Sequence, residues 1–452
     1  MKAGFASSDI TPRLGVQLAG YGPYRNRAAA KITSPLRARA MAVTQGKRRA
    51  LVLSLELVGV HRELAEKIRA AAAARTGLKA DEVFLAVTHT HSGPATGGTF
   101  GWGEADGIYV ETLPSRAAEA AAKAWAAREE VEWRYAEAPC EGIAMNRETD
   151  KGGWMFDPIE VRLDPTFRPA RPQDTDPTVR VLAAYAGGKL RGLLHHFGCH
   201  AVVGSEQTFD VHGDFVGLAS VQLEQKHAGA TAIFLAGAIG DINPPVCHRG
   251  PAETRRGLSV LSKKYAAAVE AGLRDAQPMA AEELGVARED VFFGRKLWKR
   301  SAVEARIAEF EQIFAAPGVT DATQIGKPPL HTNGLYMSRL QGLRSLLADY
   351  VGKKPPKKKV NVQGLRIGPV ALLGCGLEIF HALQAPIMAG SPHAHTWVVS
   401  LVGGIGYAPD EPASKRSGYT DEFVPIMVGE LPFKQVHADL PRALVKMARA
   451  LA

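Results

Sequence analysis

Cysteine is scarce in this chain. The 452 residues hold four, Cys140, Cys199, Cys247 and Cys375, far apart and with no Cys-x-x-Cys pair. That usage argues against a disulfide framework and fits reduced, mostly buried thiols. Long apolar runs are missing too. No segment is long enough to span a membrane, and the opening "MKAGFASSDITPRLG" lacks the apolar stretch of a signal peptide. The expectation is therefore a cytoplasmic protein with no transmembrane segment. Aromatic residues are few, and none interleaves with the one dense basic cluster, "KKPPKKK" (Lys353 to Lys359). The formal charge of +9 is otherwise scattered, so nucleic-acid binding is not expected. Pro355 and Pro356 mark that cluster as an exposed, extended connector. No internal repeat is visible.

What is present is an alternation of buried-strand and helix patterns. "ALVLSLELVGV" (Ala50 to Val60) precedes "HRELAEKIRAAAAART", which has helix-forming composition and ends near Gly77, and the run "VFLAV" precedes an alanine-rich helix expected over Ser115 to Glu130. Further strands are expected at Thr178 to Tyr185, Leu190 to Phe197, Thr231 to Gly237, Val370 to Gly374 and Thr396 to Gly404. The class is α/β: a mixed, largely buried sheet core with surrounding helices, and a helical excursion near residues 296–351.

The stretch "VFLAVTHTHSGP" ends an apolar strand in two histidines, His89 and His91, before a Gly-Pro turn. Residues two apart on a strand share a face, and imidazole is the commonest protein ligand for zinc and similar metals. A catalytic metal needs three or more ligands, so other strand exits supply the remaining candidates. "HHFGCHAVVG" offers His200 in a loop, with His195 and His196 read as supports behind the ligands or as structural. "GAIGDINPP" puts Asp241 and Asn243 on a polar loop or a simple Asn-Pro turn. "LLGCGLEIF" puts Glu378 after a Gly-Cys-Gly bend, as a helix-start charge or a ligand. Tyr407 and Tyr419 lie on a Gly/Pro-rich loop after the last strand. A rival pair, His393 and His395, precedes its strand and is expected at the opposite sheet end. The strand-end His-x-His with a later His and Asp also suits an amidohydrolase barrel, which stays open as a structural alternative.

Taken in order, "AGFASSDITP", "GYG", "SLELVGV", "THTHSGP", "MNRE", "DTDPTVRVL", "FGCHAVV", "AGAIGDINP", "GLEIF", "GGIGYAP" and "GYTDEF" resemble the neutral/alkaline ceramidases and their shorter bacterial relatives. The resemblance implies a zinc-dependent hydrolase acting on an amide, or on an ester or glycosidic bond of a polar conjugate. It implies a single catalytic domain over 1–452 without the ceramidases' C-terminal β-sandwich domain, and a small-molecule or lipid-like substrate. It places the Zn2+ ligands on His89, His200, Glu378 and Tyr407, and accessory roles on His91, Arg147 and Tyr419. Where ceramidases carry a serine in Gly-Asp-x-Ser-Pro, this chain has Asn243, whose amide can donate a hydrogen bond but cannot act as a nucleophile.

Overall fold

Three tight turns set the framework. The computed structural model describes residues 1–23, 26–98, 101–150, 157–315, 330–349, 353 and 357–452. In it Gly46-Lys47 joins strand Arg37–Gln45 to Arg48–Leu55, Gly187-Gly188 joins Thr178–Ala186 to Lys189–Phe197, and Gly368-Pro369 joins Lys358–Ile367 to Val370–Cys375. Gly46, Gly187, Gly188 and Gly368 all take the positive φ that a two-residue hairpin turn demands. After each hairpin the chain crosses through a helix (Arg62–Thr76, Asp214–Lys226 or Gln384–Gly390). It returns as a strand parallel to the one it left: Val83–Val87, Thr231–Ala236 or His395–Val399. An earlier strand pairs antiparallel with each hairpin's first strand, namely Lys2–Asp9, Glu132–Pro139 and Leu284–Phe293. The same four-strand unit thus occurs three times, which corrects the expectation that the chain has no repeat.

Strand alternation explains how the units pack. Met41, Val52 and Phe84 of the first sheet, Leu182, Leu194 and Ile233 of the second, and Leu365, Leu372 and Trp397 of the third fall into one buried cluster. Each large apolar side chain buried there contributes about 1.5–3 kcal/mol. The intervening residues face outward under helices, among them Gly107–Ala126 on the first sheet, Pro251–Asp275 on the second and Val436–Ala450 on the third. Among the described residues, three open sheets of four or five strands, with three two-stranded ladders beside them, replace the closed barrel that an amidohydrolase would show. The α/β class with a buried mixed sheet is as expected.

The helical excursion is also present, as Arg300–Ala315 and Leu330–Asp349, with Phe310 against Tyr336 at 5.4 Å between ring centroids. The alanine-rich helix begins earlier than expected, at Gly107, because Asp106 caps it by accepting the Tyr109 N–H at 2.8 Å. Its expected last turn is instead a short strand, Glu129–Glu130, paired with Lys2–Ala3. Of the basic connector, Lys354 to Pro356 lie outside the described residues, and Lys358–Lys359 open a strand instead of continuing a free linker. All four cysteines are buried and unpaired. No described helix is long and apolar enough to cross a membrane.

Candidate active site

In every unit the loops that follow the hairpin's second strand and the parallel strand open at one end, where doubly wound sheets place ligands. His89 follows Val83–Val87, His200 follows Lys189–Phe197, and Glu378 follows Val370–Cys375. His89 has a left-handed backbone, φ 65, rare for a residue with a side chain. His89 and His91 therefore meet through a kink beyond the strand, not through its pleat as the spacing suggests. Their Nε2 atoms lie 3.2 Å apart. The Nε2 of His200 lies 3.0 Å from Glu378 Oε2, and that of His89 lies 3.5 Å from the same oxygen. Glu378 does not start a helix; it pairs in a short parallel ladder with Tyr407, which sets the two side by side.

Proton positions follow from the neighbours. The Nδ1 of His89 sits 2.5 Å from the Val58 carbonyl oxygen and that of His200 3.0 Å from the Ile242 carbonyl oxygen. A carbonyl only accepts, so both Nδ1 atoms carry the proton and both Nε2 atoms present lone pairs in the neutral rings. Those lone pairs converge on a carboxylate oxygen, another acceptor. Only a positive species placed among them relieves that arrangement. The pattern is that of metal-binding histidines whose far nitrogen is anchored by a carbonyl. His89, His91 and His200 together form a group able to hold a metal ion, with ligand atoms within 4.8 Å of one another. Burial pushes His200 down to about 4 and keeps it neutral at pH 7. Burial alone would raise Glu378, but positive charge at the His89 and His200 positions holds its carboxylate well below the usual range.

Arg147 reaches the same place from the insertion between the first two strands of the second unit. It donates to Gly240 O at 2.7 Å and to the Tyr407 hydroxyl at 3.2 Å. The Tyr407 and Tyr419 rings lie 6.2 Å apart. Asn243, in a short ladder with Met145, is buried, and its Oδ1 has no partner among the described residues. His89, His91, Arg147, His200, Asn243, Glu378, Tyr407 and Tyr419 all line a single cavity of about 860 Å3. The sequence spreads these eight residues over more than three hundred positions.

The family model for neutral/alkaline non-lysosomal ceramidase, N-terminal, matches residues 1–264. The chain belongs to that family. Among solved structures it is similar to a neutral ceramidase from Pseudomonas aeruginosa, with TM-score 0.75 and 19% identity over 100% of this chain and 74% of that one. It is likewise similar to a ceramidase complexed with C2, with TM-score 0.73 and 18% identity over 100% of this chain and 75% of that one. Identities this low establish the common fold. No curated protein matches the sequence.

Other sequence candidates lie elsewhere in this family member. His393 bonds to the Ala448 carbonyl at 2.9 Å, and His395 stacks on Tyr135 at 4.0 Å. His395 starts a strand that runs parallel to Val370–Cys375, so the pair sits at the far end of the sheet. Changing both to Gln is expected to leave metal content unchanged; loss of metal would show that the wrong pair was chosen. His195 bonds to Tyr265 and Ser220, and His196 to the Val398 carbonyl, both in the core. Burial pushes Asp241 up to about 7, a value suited to a general acid. Its carboxylate does not line the cavity, however, and accepts from Asn146 and the His381 N–H, each at 2.7 Å. A glycosidic reaction would thus lack its acid at that position.

Gly20 escaped the sequence reading except as part of "GYG". Its φ is 108, and an added Cβ would lie 2.5 Å from the His91 ring. Gly20→Ala is expected to displace that ring and lower kcat roughly a hundredfold with metal content retained. Unchanged kcat would mean that His91 has no part in turnover. Tyr21, edge-on to His91 at 5.1 Å, was missed for the same reason: nothing in a Gly-Tyr-Gly turn points to a contact seventy residues away.

Proposed function

We propose that the protein is a zinc-dependent hydrolase that cleaves an amide bond of an N-acyl substrate. The observation that carries this is the meeting of two carbonyl-anchored histidines, His89 and His200, on the Glu378 carboxylate beside Tyr407. Nitrogen and oxygen donors in that mixture suit zinc better than calcium or magnesium, which favour all-oxygen sites. In this reading His89, His200, Glu378 and Tyr407 hold the ion. When bound, zinc would acidify a water towards a pKa of about 7 and polarise the scissile carbonyl.

The chain's own groups divide the remaining work. His91 lacks the anchoring carbonyl of the other two rings, and its Nδ1 has no partner among the described residues. An unanchored ring suits a proton carrier better than a fixed ligand, so His91 takes the water's proton and passes it to the leaving amine. Burial disfavours charge on Arg147, but Tyr407, Glu378 and Tyr419 outweigh it and hold the guanidinium protonated. Arg147 and Tyr419 then donate to the developing oxyanion, with the Asn243 amide as a further donor. Leu377, Ile405, Val428, Leu431 and Phe433 also line the cavity and fit an acyl chain. Its volume lies within the usual range for small-molecule sites.

A panel of N-acyl, ester and glycoside substrates, run with and without a chelator, tests the reading. N-acyl cleavage abolished by the chelator and restored by zinc is expected. Cleavage indifferent to chelation, or confined to esters or glycosides, would overturn it.

A further inference from the structure

One wall of the cavity carries a charge imbalance that amide hydrolysis does not use. Arg62, Arg295, Lys357, Lys358 and Lys359 all line it. Glu430 takes Arg295 and Lys358, and Asp290 takes Arg62 and Lys359 at 2.8 Å each. Glu63, next to Arg62, also lines the cavity, and the other lining acids, Glu206 and Glu378, pair with His248 and His200. Five cations therefore face three carboxylates, and Lys357, which is exposed, has no ion pair among the described residues. In a walled cavity such an excess is focused and draws anions. The wall belongs to the same site as the histidines. Val362 pairs with Cys375, so strand Lys358–Ile367 begins at the sheet end where Val370–Cys375 releases Glu378.

We propose that this wall is an anion subsite: the substrate carries a carboxylate, sulfonate, sulfate or phosphate, seated on Lys357, Lys359 and Arg62 while the amide lies at the histidines. The proposal rests on the amide-hydrolase reading and narrows it to acidic N-acyl compounds. Each pairing already present leaves donors over: Asp290 is shared between an ammonium and a guanidinium, and Lys357 keeps all three of its N–H groups for a ligand. The apolar neighbours Leu431 and Phe433 line the same cavity, so one amphiphile can satisfy both parts.

The test uses matched pairs of N-lauroyl amides, an aminoalkanol against the aminoalkanesulfonate of equal length, over a series of linker lengths. Both kcat/KM and calorimetric affinity for zinc-loaded protein are measured. At low salt the sulfonate is expected to be preferred about tenfold at the best linker length, mainly through KM, and the preference should shrink at 0.5 M salt, where screening is strong. Lys357→Glu should abolish the preference and Lys357→Arg should keep it. Equal affinity for the two members at every length would overturn the subsite even where the alkanol is cleaved normally. Sulfonate-selective binding without cleavage of any amide would support the subsite and sink the hydrolase reading instead. Lys357-dependent sedimentation with anionic vesicles, without selectivity for the soluble sulfonates, would assign the wall to a membrane surface and overturn the proposal.

Discussion

Glu378→Ala is expected to release most of the bound metal and to lower kcat/KM on an N-acyl substrate by roughly a thousandfold or more. Three facts converge on this residue. Its carboxylate faces the lone-pair nitrogens of His89 and His200, it pairs with Tyr407 across a parallel ladder, and it is almost fully buried. Removing it leaves two neutral imidazoles and a phenol, with no charge to offset a divalent ion, and metal binding at such sites depends on the complete ligand set. Burial, then the nearby Glu378 carboxylate, pushes the Tyr407 phenol well above its usual range. Without the ion Tyr407 is a neutral phenol, and only a cation at that spot makes it a phenolate ligand. Glu378→Gln separates charge from shape: it keeps the volume and should still lose the metal. Metal analysis by mass spectrometry on folded protein checks both variants. Full occupancy in either one would remove Glu378 from the ligand set.

Asn243→Ala carries the second largest expected effect, a fall in kcat of about 10- to 1,000-fold with zinc content unchanged, the range for loss of one oxyanion donor. Asn243 lines the cavity, and among the described residues its side chain makes one hydrogen bond, to the Cys247 sulfur at 3.8 Å. The Cys247 thiol gives its one proton to the Pro244 carbonyl at 3.8 Å, so the sulfur accepts from Asn243 and the second amide N–H is left for a substrate. Asn243→Ser, which restores the ceramidase residue, should keep the metal and shift activity towards N-acyl sphingoid bases. Near-normal kcat in the alanine variant would reduce Asn243 to a turn residue.

The sequence makes the hairpins' second strands and the parallel strands legible because these are apolar runs, buried on the shared core and under helices alike, whereas charged residues break the pattern in Lys2–Asp9, Arg37–Gln45, Glu132–Pro139, Leu284–Phe293 and Lys358–Ile367 and hide them. It makes His89 and His200 legible because both directly follow such runs. Tyr407 is a different case. It joins the site only by pairing with Glu378, twenty-nine residues earlier in the chain, and spacing carries no trace of that ladder; its nomination came through family resemblance alone. The threefold repeat was hidden for a related reason. What the units share is a backbone path with a glycine-bearing turn, while the site residues at corresponding exits are as unlike as His89, Asn243 and Tyr407. The basic cluster misled because two prolines suggested a linker, whereas its last two lysines open a strand along the cavity.

X-ray absorption of the purified protein at the zinc edge, with activity followed against metal occupancy, tests the proposed centre most directly. One zinc per chain is expected, with five nitrogen or oxygen neighbours, the four side chains and a water, at about 2.0–2.2 Å, none of the sulfur scattering at about 2.3 Å that a cysteine ligand gives, and N-acyl hydrolysis rising in proportion to occupancy. A sulfur neighbour, or full hydrolysis by protein that holds no metal, would contradict it.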